Sequence, residues 1–174
     1  MRLAWGNSVS EKFCDRVIWI SQDLDLDASG LMACMAFESA RSFRADIVNH
    51  VSNAIGLIQF MPSTASALGT STEELAQMTP EDQLNYVWKY FATRKGRLKN
   101  LGDIYMAILW PGGIGKADDA VLFNVNGPYR VQYAQNKGLD VNQNGLITKA
   151  EAVQKVQLRF DEGLQPAHYR DVAD

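Results

Sequence analysis

Apolar residues recur at helical spacing along most of the chain. Phe13, Val17, Ile20 and Leu24 keep a period near 3.6 behind Ser8 and Glu11, an S-x-x-E capping box, and predict a first helix. Asp27 is a candidate cap for a second helix, LMACMAFES. Its seven consecutive apolar residues, Leu31 to Phe37, cover every face, so this helix is expected to be buried all round. Pro62 sits where a first helical turn tolerates it, and Gly69 ends that segment. Ser71 with Glu74 forms another capping box, and Thr79-Pro80 opens a long helix carrying Leu84, Val87, Trp88 and Phe91. Asp103 precedes the run IYMAILW, which breaks at Pro111-Gly112-Gly113. Lys116 to Phe123 reads as a short helix, and Val131–Leu139 and Ala150–Phe160 as two more. Period-2 alternation is never long enough for a sheet, although residues 47–60 suit a short hairpin.

The expected fold is therefore mostly α. At 174 residues the chain has room for about one domain. Its character changes near Asn126 to a polar loop between two helical stretches, which divides it into residues 1–125 and a C-terminal element, 126–174, packed on the same domain. An apolar fraction of 47% with 21% charged residues excludes a disordered chain. No apolar run approaches the ~18 residues of a membrane span. A net charge of −3 argues against a nucleic-acid binder. The one dense basic cluster, Arg94, Lys95, Arg97 and Lys99, reads as a solvated helix end. Two cysteines, Cys14 and Cys34, lie in apolar stretches and read as small core residues. A monomer is expected.

Glu38 directly follows the apolar run. Burying a carboxylate without partners costs several kcal/mol. Either the helix ends here and Glu38 faces solvent, or a low-dielectric wall raises its pKa and suits it to general acid work. The residues that follow bear on this choice. Glu38-Ser39 at the end of an apolar helix, with Gly56-Leu57-Ile58-Gln59-Phe60-Met61-Pro62-Ser63-Thr64-Ala65 downstream, resembles the lytic transglycosylases of the soluble-lytic (SLT) group, relatives of goose-type lysozyme. The second stretch is similar to the family's G-L-x-Q-x-x-P-x-T-A, and the resemblance spans roughly residues 10–125. The family's A-Y-N-A-G strip is represented by Ile108-Leu109-Trp110-Pro111-Gly112-Gly113, which lacks the asparagine.

The resemblance implies a lysozyme-like helical fold and cleavage of the peptidoglycan β-1,4 bond between N-acetylmuramic acid and N-acetylglucosamine. It implies that one glutamate, Glu38, acts twice. The glutamate first protonates the glycosidic oxygen, then takes a proton from the muramic 6-hydroxyl, leaving a 1,6-anhydro end and consuming no water. Ser39 and Gln59 match substrate-contact positions. A family tyrosine near the glutamate is expected from a later segment, with Tyr133 the candidate and Tyr129 the alternate. Two other readings stay open. One is a hydrolytic muramidase with Asp46 as the second carboxylate. The other is a calcium-binding cell-wall module without catalysis. The resemblance extends to bacteriophage endolysins and virion muralytic enzymes. With no secretory signal visible in MRLAWGNSVSEKF, the expected location is the host cytoplasm until release to the periplasm and cell wall, or the virion.

Residues 140–151 match the EF-hand loop D-x-[DN]-x-[DN]-G-x5-E at every specified position. Asp140, Asn142 and Asn144 present side-chain oxygens, Gly145 makes the sharp turn, Leu146 offers its carbonyl, Thr148 stands at position 9 and Glu151 closes the loop. One bound Ca2+ is expected, structural or conditional in role. Of these ligands only Asp140 and Glu151 carry formal charge, which predicts weak affinity, ~10⁻⁴–10⁻³ M.

Overall fold

The computed structural model describes residues 1–173 and is mostly helical. Helix α1 (Glu11–Leu24) buries Phe13, Cys14, Val17, Ile20 and Leu24 along one face. Its cap is Ser10, whose side chain accepts the Phe13 amide, and not Ser8, which closes a 3-10 turn over Gly6–Ser8. Helix α2 (Ala28–Glu38) is capped by Asp27, which accepts the amides of Ser29 and Gly30. Every residue from Ala28 to Ala36 is buried, as an all-round apolar helix demands. It is the central element, packed against α1, α6 (Leu101–Leu109) and α8 (Lys149–Gly163).

The expected hairpin exists as β2 (Val48–Asn49) and β3 (Ala54–Ile55), paired antiparallel. Short helices α3 (Pro62–Ala67) and α4 (Thr72–Gln77) lead into α5 (Pro80–Ala92), which lies along α1. Ser71 and Thr79 cap α4 and α5. Helix α6 begins earlier than the sequence suggested. Asn100 caps it, which moves Asp103 inside the first turn and into the core. The basic residues after α5 behave as a solvated helix end, with Lys95 and Lys99 reaching Asp23 and Asp25 at the end of α1.

Residues 116–123 are not a helix. After turns they form a strand, β4 (Val121–Asn124), which pairs antiparallel with β5 (Leu146–Thr148). The partner strand lies over twenty residues away, and its pairing overrides local helical spacing. Helix α7 stops at Gln135 (Arg130–Gln135), and a 3-10 turn covers Lys137–Leu139. The N- and C-terminal strands β1 (Arg2–Leu3) and β6 (Arg170–Asp171) also pair.

The C-terminal segment is built into the same core as the rest. Phe123, Ile147, Ala152 and Val156 belong to one buried cluster with Leu31, Met35 and Met106. Trp5 is wedged against α8 and donates its indole N–H to the Arg159 carbonyl at 2.8 Å. Lys149 at the head of α8 forms an ion pair with Asp103 of α6 at 2.7 Å, with both side chains almost wholly buried. Lys149 also donates to the Lys116 carbonyl, and Asp103 accepts the Gly115 amide. Cys14 and Cys34 are free, buried thiols.

Candidate active site

Glu38 is the last residue of α2, where the apolar helix meets solvent. The half-buried carboxyl receives no hydrogen bond from the described residues, and burial pushes its pKa up to about 8. Near neutral pH the group is mostly protonated, as a general acid requires.

The chain turns sharply after Glu38. Ala40, Arg41 and Phe43 all adopt positive φ, between 49° and 66°. Such strain in non-glycine residues persists only where the surroundings over-determine it. Ser39 does much of that work. It is fully buried, donates its hydroxyl to the Met35 carbonyl at 2.7 Å and accepts the Phe43 amide at 3.0 Å. Arg41 adds a forked pair to Glu162 of α8, at 2.9 and 3.1 Å. Ser39 is thus a brace for the turn that presents Glu38. The substrate contact expected of it is not available, because its hydroxyl is enclosed and engaged on both sides.

The G-L-x-Q stretch is a tight turn closed by Ile55 and Phe60, which exchange backbone hydrogen bonds. Gly56 has φ +77°, and a Cβ there would lie 2.2 Å from the Gln83 carboxamide, so only glycine fits. Gln83 is fully buried on α5. It accepts the Leu57 amide and donates to the carbonyls of Ala45 and Leu75, which fixes the turn to the helix. Gln59 also adopts positive φ, 53°. Its amide nitrogen donates to the Gly56 carbonyl at 3.1 Å and, more weakly, to that of Ile47, which leaves the side-chain oxygen for a ligand.

The tyrosines beside Glu38 differ from those expected. Tyr105 of α6 is buried, and burial followed by the Glu38 charge lifts its phenol well above the ordinary value. Tyr90 of α5 is raised in the same way, by burial first, with Glu38 contributing. It donates its hydroxyl to the Ala107 carbonyl and meets Phe60 edge-on, which brings the motif turn to the same side as Glu38. Phe37 meets Tyr105 edge-on as well. The only hint in the sequence was a polar-tipped residue in the apolar run IYMAILW.

Tyr133 lies elsewhere. It is buried and donates its hydroxyl to Asp140 at 2.7 Å, inside the C-terminal loop region. It borders a surface hollow of about 880 Å3 with Lys137, Asp140 and Lys155, and no residue of the Glu38 environment lines that hollow. The alternate, Tyr129, is exposed and meets Trp110 edge-on, with ring centroids 4.8 Å apart, just beyond α6. Asp46 is exposed and held by two 2.8 Å bonds from Arg44, which lower its pKa and occupy both carboxylate oxygens. The residues of the candidate calcium loop, Asp140, Asn142, Asn144, Leu146, Thr148 and Glu151, run from the end of the 3-10 turn after α7 into the first turn of α8.

No helix among the described residues is long and apolar enough to cross a membrane. A comparison with curated proteins gives no match. The family model described as Transglycosylase SLT domain matches residues 17–111, a stretch running from α1 through α6 and enclosing Glu38, Gln59, Tyr90 and Tyr105. That match covers more than half of the chain, so the protein belongs to the SLT family of lytic transglycosylases, enzymes that degrade peptidoglycan.

Proposed function

We propose that this chain cuts the β-1,4 bond between N-acetylmuramic acid and N-acetylglucosamine without water, with Glu38 as its single catalytic carboxyl group. Protonated Glu38 gives its proton to the glycosidic oxygen. The bond from that oxygen to the muramic C1 breaks, and N-acetylglucosamine leaves with a free 4-hydroxyl. The Glu38 carboxylate then takes the proton of the muramic 6-hydroxyl as that oxygen bonds to C1. The product carries a 1,6-anhydro ring, and Glu38 ends as it began, protonated.

The observation that carries this reading is the Glu38 carboxyl itself, set at the end of a buried apolar helix, without a hydrogen bond from the described residues and raised to about 8, while the candidate second carboxylate, Asp46, is paired with Arg44. A hydrolase needs a partner base or nucleophile, and both oxygens of Asp46 are engaged by Arg44. The free oxygen of Gln59 and the phenol of Tyr105 are the candidate groups for holding the sugar's N-acetyl group. Tyr133 is withdrawn from that role, and Ser39 is assigned to positioning Glu38.

Turbidity loss of purified peptidoglycan tests the reading. Glu38→Gln is expected to lower the rate by about 10²-fold or more, the usual scale for a general acid. Wild-type kcat/KM is expected to fall as pH rises through about 8, where the acid form is lost. A folded Glu38→Gln protein with near-normal lysis would overturn the proposal.

A further inference from the structure

The loop from Asp140 to Glu151 contains the one unsatisfied atom of its kind. Among the described residues, Glu151 Oε1 is the sole buried side-chain oxygen or nitrogen without a hydrogen-bond partner. Its twin, Oε2, accepts the amide and the hydroxyl of Thr148, closing the capping box of α8. A carboxylate oxygen removed from water with nothing to meet it costs several kcal/mol. A cation is the natural partner.

The surrounding donors specify which cation. Asp140, Asn142 and Asn144 turn their side-chain oxygens to the loop's own amides: Asp140 accepts from Asn144 and Gly145, Asn142 from Asn144, and Asn144 from Leu146. Asp140 Oδ1 and the Asn142 and Asn144 oxygens each keep a second lone pair, whereas Asp140 Oδ2 is filled by the Gly145 amide and the Tyr133 hydroxyl. Gly145 provides the sharp turn at φ +83°. Residues 140–151 contain no cysteine and no histidine. The donor set is therefore all oxygen, mostly neutral and free of sulfur and imidazole. That chemistry suits a hard cation and rejects zinc. Six or more oxygens drawn from a loop suit Ca2+ better than Mg2+, which demands strict octahedral geometry and keeps its water.

We propose that residues 140–151 bind one Ca2+ through the side chains of Asp140, Asn142, Asn144 and Glu151 and the carbonyl of Leu146. Thr148 spends its hydroxyl on capping α8, so its contribution passes through water. The ion consolidates a junction that the rest of the enzyme uses. Strand β5 within the loop pairs with β4, and Lys149, the next residue, holds α6 through Asp103. Helix α8 then runs along α2, which ends in Glu38.

Calorimetric titration of the chelator-treated full chain with CaCl2 and with MgCl2 tests the site without reference to activity. One Ca2+ is expected per chain, at ~10⁻⁴–10⁻³ M, with Mg2+ at least about tenfold weaker. Ten times that Kd of Ca2+ is expected to shift the folding equilibrium about elevenfold toward the native state, seen as a higher melting temperature. Glu151→Gln keeps a T-x-x-Q capping box but loses the charged chelating group. It is expected to melt like the wild type in chelator and to lose the calcium response. Three results overturn the proposal: no heat and no melting shift in the wild type at about 10 mM Ca2+, equal affinity for Mg2+, or undiminished Ca2+ binding by a folded Glu151→Gln protein.

Discussion

Replacing Glu38 by glutamine is expected to stabilise the protein, and to do so increasingly as pH rises. The Glu38 carboxyl sits at about 8 in the folded chain against an ordinary 4.5. Between those values the folded state holds a proton that the unfolded chain has released, so stability falls as pH climbs. At about 1.4 kcal/mol for each pKa unit, the full cost, reached above pH 8, is about 5 kcal/mol. Solvent still reaches the carboxyl and screens part of this. Glutamine has the shape of the protonated acid and never ionises. The expected gain for Glu38→Gln is ~2–4 kcal/mol at pH 8.5 and under about 0.5 kcal/mol at pH 4.5. In a domain of this size that is roughly 4–16 °C in melting temperature at the higher pH. Circular dichroism melts of both proteins across this range, in chelator, measure it. A difference independent of pH would refute the claim that burial holds the acid form.

Two further substitutions probe the scaffold. Lys149→Met strands the buried Asp103 carboxylate and is expected to cost ~3–5 kcal/mol in urea unfolding, whereas Lys149→Met with Asp103→Leu recovers most of it. Burial alone would raise the Asp103 carboxyl, but Lys149 and the Gly115 amide outweigh it and hold it below its usual 3.8. Its contribution is therefore present above pH 3.8 and lost as pH falls through the lower folded value, a loss absent from the double variant. Ser39→Ala leaves the buried Phe43 amide unpaired and is expected to cost ~1–3 kcal/mol while slowing lysis. Unchanged stability would remove Ser39 as the brace of the turn.

What could be read in the sequence was what local chemistry decides. The apolar run ending in Glu38 specified a buried helix, because that follows from one stretch of residues, whereas that run alone left open whether the carboxyl at its end faced solvent or was desolvated. Asp27, Ser71 and Thr79 cap helices because the cap and the amide it serves are near neighbours. What failed depended on distant partners. Residues 116–123 became a strand because β5 was there to pair with them, and Asp103 became a buried ion because Lys149 arrives from far along the chain. Tyr90 and Tyr105 come within the field of Glu38 through the packing of α5 and α6, whereas Tyr133 is captured by Asp140. The Ser39 hydroxyl turns inward, which its sequence could not reveal, since a hydroxyl turned inward and one offered to a ligand look alike in a sequence.

The decisive measurement is mass spectrometry of the muropeptides released from purified peptidoglycan in heavy-oxygen water. A single carboxyl group acting first as acid and then as base yields muramic ends one water lighter than the hydrolysed form and free of the label, and Glu38→Gln yields none of them. Reducing muramic ends that carry the heavy oxygen would contradict the account and make the enzyme a hydrolase.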